Sequence, residues 1–163
     1  MTYKENLHNK MLELSKDPLV RFLGYNTKYG HQFNGTLKGC EESCIELPVA
    51  ENLIMGLAIG MALEGYTPIV CIERMNFLWT CADAIINHLG KARELGWGQL
   101  DVVIRTCICG NAPLDPGCQH QGDDSDVWRR YIRVEHSWAL AYPGHGPVMI
   151  IEDRRDYESD RSA

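Results

Sequence analysis

The stretch Leu47-Pro48-Val49-Ala50-Glu51-Asn52-Leu53-Ile54-Met55-Gly56-Leu57-Ala58-Ile59-Gly60-Met61-Ala62, followed by Pro68-Ile69-Val70-Cys71-Ile72, decides the fold. Leu53 to Leu63 is an apolar run of eleven residues broken only by two glycines, which suits a mostly buried helix over residues 51–64. Pro68 to Ile72 is a β-branched run of strand length. Working outward, residues 77–91 again carry helical spacing, Asp101-Val102-Val103-Ile104-Arg105 has the composition of a buried strand, and Pro147-Val148-Met149-Ile150-Ile151 that of a last one. Apolar strands without alternation, separated by helices, indicate a parallel sheet covered on both faces. The expected fold is therefore α/β: a three-layer sandwich with a mostly parallel central sheet flanked by helices.

Upstream, Leu7, Met11, Leu12 and Leu14 place a helix over residues 3–15, ended by Lys16-Asp17-Pro18. Residues 24–39, rich in Gly, Asn, Thr and Lys, read as irregular before the short segment Cys44-Ile45-Glu46-Leu47. Downstream, residues 110–122 read as a loop. Val127 to Tyr142, with Trp128, Tyr131, Trp138 and Leu140, reads as a helix stopped at Pro143-Gly144. The expected organisation is one domain over residues 1–153 and a charged C-terminal tail, mobile, over 154–163.

The composition, 45% apolar and 23% charged over 163 residues, is that of a globular domain large enough to build a core without staples. A formal charge of −6 with no basic run argues against a nucleic-acid partner. The longest apolar run is too short to span a bilayer, and the charged N-terminus lacks the apolar core of a secretory signal, so a cytoplasmic location without membrane attachment is expected. Seven cysteines, with no C-x-x-C pair, read as reduced and mostly buried thiols. A zinc- or redox-active thiol protein is the rival that they raise.

Chemistry concentrates around Glu51. An acid in the first turn of an otherwise apolar helix can be there only to complement the helix dipole. Its company suggests more, because Gly56 and Gly60 strip one face of the helix bare at about 1 kcal/mol each relative to Ala. Something is expected to approach that face closely.

The ordered series Leu47-Pro48-Val49-Ala50-Glu51, the two glycines, Gly65-Tyr66-Thr67-Pro68-Ile69-Val70, Asn76-Phe77, Ala82-Asp83-Ala84-Ile85-Ile86-Asn87 and Lys91 resembles the pyrimidine-binding domain of thiamine diphosphate enzymes. The closest form is the β chain of the 2-oxo acid dehydrogenase first component, with transketolases a step further away. The resemblance covers about residues 45–122.

It implies that Glu51 hydrogen-bonds a ring nitrogen of the cofactor's aminopyrimidine. A carboxyl group held against that ring in a dry interface can share a proton with it at neutral pH. Phe77 falls where the family stacks an aromatic residue on the pyrimidine, although an aromatic at that point can equally be core. His120, in Gly117-Cys118-Gln119-His120-Gln121, matches a family histidine that faces the reacting carbons, although a histidine in such a loop can also be merely solvated. Asn76, Arg105 and Gln121 are further candidates for the pocket lining, Asn76 on the cofactor. Cys71 and Glu73-Arg74-Met75 depart from the family pattern. Asp123, Asp124 and Asp126 fit a helix-cap region, and no metal ligand is assigned in this chain.

Enzymes of this group hold the diphosphate through a divalent metal and a Gly-Asp-Gly motif on a second domain. This sequence contains no Gly-Asp-Gly. The expectation is a diphosphate-binding α-type partner that carries Mg2+, in an α2β2 heterotetramer with sites at subunit interfaces. The implied function is the pyrimidine-binding subunit of a two-chain enzyme that decarboxylates a 2-oxo acid and passes the acyl or two-carbon unit to an acceptor. Transketolase-like ketol transfer, a free-standing carboligase, and a non-catalytic binding or regulatory subunit that retains the fold are the alternatives.

Overall fold

The computed structural model describes residues 1–110, 115–140 and 144–160. Six strands form one sheet in the order β2-β1-β3-β4-β6-β5, and every neighbouring pair is parallel. They are β1 (Val20–Gly24), β2 (Cys44–Glu46), β3 (Thr67–Ile72), β4 (Val103–Ile108), β5 (Arg133–Glu135) and β6 (Val148–Asp153). The central strands β3 and β4 are buried at every position, as the unbroken apolar runs require of strands covered on both sides.

The period of two along each strand splits the core into two layers. Leu23, Val70, Ile72, Ile104, Met149 and Ile151 point to one face, where α2 (Glu51–Leu63), a 3-10 turn (Met75–Cys81) and a π-helical turn (Ala84–Leu89) cover them. Phe22, Ile69, Cys71, Val103, Val148 and Ile150 point to the other, beneath α1 (Tyr3–Leu14), Phe33, Trp138 and Tyr157. Thr2 and Glu5 close a reciprocal capping box at the start of α1.

Three elements depart from the sequence expectations. β1 was not foreseen, because Val20-Arg21-Phe22-Leu23-Gly24 is short and follows a proline breaker; its edges are paired to β2 and β3. The helix expected over residues 77–91 is 3-10 and π geometry, with Gly90 N–H donating to Ile85 O five residues back at 2.8 Å. The helix expected over Val127–Tyr142 is one turn, α3 (Ser125–Trp128), followed by β5. Its aromatic spacing misleads because the residues serve different layers: Trp128 is buried in the first core, Trp138 in the second, and Tyr131 is exposed. Ala141, Tyr142 and Pro143, the expected stop, lie outside the described residues.

The expected mobility of the tail is also corrected for residues 154–160. Tyr3 N–H donates to Ser159 O at 2.7 Å, Lys4 N–H to Tyr157 O at 3.1 Å, and Tyr157 is 6% exposed. Its hydroxyl donates to Glu152 Oε2 at 2.7 Å. Residues 161–163 lie outside the described residues.

Candidate functional site

All strands run the same way, so the segments that follow them converge at one edge of the sheet. β1 leads to Tyr25 and Asn26, β2 to Glu51, β3 to Glu73, Arg74 and Phe77, β4 to Asp115 and His120, and β6 to Arg154. Between β2 and β3 the chain reverses direction across the sheet. In open parallel sheets, a crevice outside the carboxyl ends of the strands at such a switch is where ligands bind. Here it holds a cavity of about 510 Å³, lined among others by Tyr25, Asn34, Glu73, Phe77 and His120.

Glu51 opens α2 and is 8% exposed. The preceding Ala50 offers no side-chain cap. Among the described residues, its carboxylate has one hydrogen bond, from the Thr80 hydroxyl to Oε2 at 3.3 Å. That hydroxyl has a single proton, shared with the closer Phe77 O at 2.7 Å, so the Glu51 contact is its weaker branch; it ties Glu51 to the 3-10 turn that carries Phe77. Buried carboxylates ordinarily collect several donors, so this one retains acceptor capacity. The Phe77 and His120 rings meet with centroids 4.9 Å apart at 58°. His120 Nδ1 is buried without a hydrogen-bond partner.

Asn76 stands on the same turn, and its Oδ1 is buried and unpartnered. Its Nδ2 lies 3.2 Å from where a Cβ on Gly122 would be, so only glycine passes there without displacing it. Gln121 braces the loop, donating to Asp115 Oδ1 at 3.0 Å. Arg105 does not line the pocket. It is 0% exposed in the second core layer, where Nε donates to Glu152 Oε1 at 2.6 Å and Nη2 to Oε2 at 3.0 Å. Burial alone would lower its pKa, but the Glu152 carboxylate keeps it above the usual arginine value. Asp123 accepts from Ser125 N–H at 2.9 Å at the start of α3, and Asp124 from the Trp79 indole at 2.8 Å.

The sequence reading did not single out the 25–39 segment. Asn26, Gln32, Phe33 and Asn34 all have φ between 45° and 60°, the left-handed region that non-glycine residues enter at a cost. Glu46 holds the segment in shape: its carboxylate accepts from the backbone of Asn26 at 2.6 Å, Thr27 at 3.0 Å, Lys28 at 2.8 Å and Tyr29 at 3.3 Å. Burial would raise the Glu46 pKa, but these N–H groups outweigh it and the net shift is downward. The shaped segment brings His31 Nε2 to 3.2 Å from Glu73 Oε1. Burial raises the Glu73 pKa, opposed by His31 and nearby arginines. The Tyr25 pKa is raised, first by burial and then by the carboxylates of Glu73 and Glu51. The clue in the sequence was the cluster of Asn and Gly in a segment without periodicity, together with the charged Glu73-Arg74 after an apolar strand.

The model of the transketolase pyrimidine-binding domain matches residues 5–108. The chain belongs to this family. Among curated relatives, 3-methyl-2-oxobutanoate dehydrogenase subunit beta of Mycobacterium tuberculosis is 27% identical over 131 residues, covering 71% of this chain and 36% of the relative. The mitochondrial pyruvate dehydrogenase E1 component subunit beta of Saccharomyces cerevisiae is 30% identical over 134 residues, covering 77% of this chain and 36% of the relative. The chain therefore spans about a third of the length of these relatives. A solved structure described as a split gene transketolase, inactive beta4 tetramer, superposes with a TM-score of 0.65 at 19% identity, covering 94% of this chain and 52% of that one. That likeness is one of fold.

The residues of this pyrimidine-binding domain fit a heteroaromatic ring. A buried carboxylate with unfilled acceptor capacity suits a protonated or N–H-bearing ring nitrogen, and the Phe77–His120 pair, linked to Glu51 through Thr80, offers an aromatic surface; Phe77 and His120 line the cavity, whereas Glu51 is not among its lining residues. For the six cysteines other than the exposed Cys118, the thiol alternative is disfavoured. Burial raises the pKa of Cys40, Cys44, Cys71, Cys81, Cys107 and Cys109, whereas a reactive thiol needs a lowered one. Among the described residues, no helix is long and apolar enough to cross a membrane.

Proposed function

We propose that this chain is the pyrimidine-binding β-type subunit of a two-chain thiamine diphosphate enzyme that decarboxylates a 2-oxo acid and hands the acyl or two-carbon unit to an acceptor. The observation that carries this reading is Glu51, a buried carboxylate with one long hydrogen bond, at the carboxyl edge of the sheet beside the Phe77–His120 pair. When bound, the cofactor supplies the nucleophilic carbon and the electron sink that the side chains of this chain lack.

The chain's own residues would hold and tune it. Glu51 binds and holds a proton at the pyrimidine ring, and Thr80 orients the Glu51 carboxylate. Phe77 packs on the ring face, and Asn76 offers an acceptor from the same turn. His120, with its unpartnered Nδ1 at the cavity, moves protons at the substrate's reacting atoms.

Mg2+ and the diphosphate fall to an α-type partner chain in an α2β2 assembly in the cytoplasm. The partner is supported by the outer face of α2. Leu53 and Leu57 are 54% and 37% exposed, and a Cβ added at Gly56 or Gly60 would meet nothing within 4 Å. Val49, 71% exposed, extends the apolar surface.

Calorimetric titration of thiamine diphosphate and Mg2+ into this chain assembled with a diphosphate-binding chain tests the reading, using wild type and Glu51→Gln. Saturable binding in wild type, with turnover of a 2-oxo acid lost by at least about 100-fold in the variant, is the expected result. An assembled pair that binds no cofactor overturns it and favours the non-catalytic alternative.

A further inference from the structure

Phe77 and His120 lie on different segments, the first on the 3-10 turn Met75–Cys81 after β3 and the second on the 3-10 turn Cys118–His120 after β4. Neither segment belongs to the sheet ladder, so the 4.9 Å between the two rings is set by the contacts that tie the segments to each other. Two of these ties converge on one residue. The Trp79 indole N–H donates to Asp124 Oδ2 at 2.8 Å, and Asp124 N–H donates to Met75 Sδ at 3.1 Å. The turn that carries Phe77 thus holds Asp124 by its side chain and by its backbone. The Trp79 ring also packs on Trp128, with centroids 4.9 Å apart, and Trp128 is fully buried.

Asp124 directly precedes α3, where an aspartate ordinarily turns its carboxylate back on the helix and caps the free N–H groups of the first turn. Here its side chain makes no such bond. Ser125 N–H is taken by Asp123, and the Asp124 carboxylate reaches 45 residues back along the chain to Trp79. Trp79 itself is 46% exposed. A hydrogen bond between groups that water also reaches adds little net stability, so the main consequence of this one is geometric.

We infer that Trp79 and Asp124 are positioning residues, whose bond latches the loop of His120 to the turn of Phe77 and so sets the distance between the two rings. The inference rests on the reading of Phe77 and His120 as groups that face cofactor and substrate, because only then does their separation matter to the reaction. Trp79 and Asp124 do not line the cavity; they act through Phe77 and His120, which do. A proton-moving group displaced by a fraction of its contact distance loses rate, so the latch affects kcat and leaves cofactor affinity in place.

The test begins on the chain alone, by NMR. NOEs between the ring protons of Phe77 and His120 are expected in the wild type. They are expected to be lost in Trp79→Phe, which keeps a ring on Trp128 but lacks the donor, and in Asp124→Leu, and to be retained in Asp124→Asn, which keeps an acceptor. The denaturation midpoint of each variant is measured alongside. A merely structural role would lower the midpoint and leave the NOEs of the folded chain in place, and NOEs that persist in Trp79→Phe overturn the inference. The wild type gives a second reading that requires no variant to fold: the Trp79 indole N–H is expected to exchange with solvent at least about 10-fold more slowly than a free indole, and exchange at the free rate overturns the latch. In the chain assembled with a diphosphate-binding chain, thiamine diphosphate and Mg2+, kcat with pyruvate is expected to fall about 10-fold in Trp79→Phe, with cofactor Kd within about 2-fold of wild type. An unchanged kcat overturns the positioning role. Cofactor binding by the wild-type assembly reads the Glu51 assignment, and the NOEs and exchange rate read the latch without cofactor, so either can fail while the other stands.

Discussion

Two polar clusters lie about the same sheet, and they are built to opposite rules. In the second core layer, Arg105 and Glu152 form a two-pronged ion pair whose carboxylate also accepts from the Trp138 indole at 2.9 Å and the Tyr157 hydroxyl at 2.7 Å, while the guanidinium lies over the Phe33 ring at 4.4 Å. Its one open position is Arg105 Nη1. At the carboxyl edge, Glu51 has a single long hydrogen bond, and Glu73, Asn34, Asn76 and His120 each leave a buried polar atom without one. A closed network fixes a structure, whereas an open one keeps bonding capacity for something that arrives later. Phe33 joins the two, since the residue that covers Arg105 directly precedes Asn34. The structural cluster thereby helps to hold the segment that shapes the functional one.

The contrast breaks most sharply if the buried pair is opened. Glu152→Ala leaves the Arg105 charge unpaired, and a loss of about 3–5 kcal/mol is expected in chemical denaturation. A loss under about 1 kcal/mol would mean that the two clusters do not differ in kind. Next in size is Gly24→Ala. A Cβ there would stand 2.5 Å from the Cys71 carbonyl oxygen on β3, so a drop in melting temperature of several degrees is expected, with weakened packing at the start of the 25–39 segment.

Glu46 sharpens the comparison through pH. Its pKa in the fold lies below the ordinary carboxylate value of 4.5, so its contribution is fully present above that value and is lost as the pH falls through the depressed one. Glu46→Gln is expected to cost about 1–3 kcal/mol at neutral pH and to flatten the acid limb of the stability curve below about pH 4.5. An acid limb unchanged from wild type would show that the segment holds its shape without Glu46. The smallest expected effect on stability is at the open cluster. Phe77→Leu is expected to lower stability by less than about 1.5 kcal/mol while weakening cofactor binding by the assembled pair by about 10-fold, measured by calorimetry.

The alternation between the two clusters was only partly legible in the sequence. The buried runs at β3, β4 and β6 and the apolar α2 announced a covered parallel sheet, because full burial on both faces leaves no other composition. Glu51 and Phe77 were singled out by an ordered series of motifs and His120 by its place in the later loop; that they serve a cofactor is the proposal. The Arg105–Glu152 pair was not, since the partners are 47 residues apart and each looks like an ordinary charged residue on a strand. Arg105 therefore reads in the sequence as a candidate either for the pocket lining or for the surface, and the structure shows neither. The 25–39 segment was illegible for a related reason: its shape depends on positive-φ backbone and on one carboxylate from β2, neither of which leaves a periodic trace. β5 was hidden by aromatic residues that serve two different layers at a helix-like spacing.

The central claim is that Glu51 is retained for a ligand and not for its helix. Equilibrium denaturation of the chain alone, comparing wild type with Glu51→Gln, tests it most directly. A residue kept for binding is not expected to support the fold, so the variant should be as stable as wild type or more so, within about 0.5 kcal/mol on the unfavourable side. A loss of about 1 kcal/mol or more would match an acid placed to complement the dipole of α2 and would contradict the account.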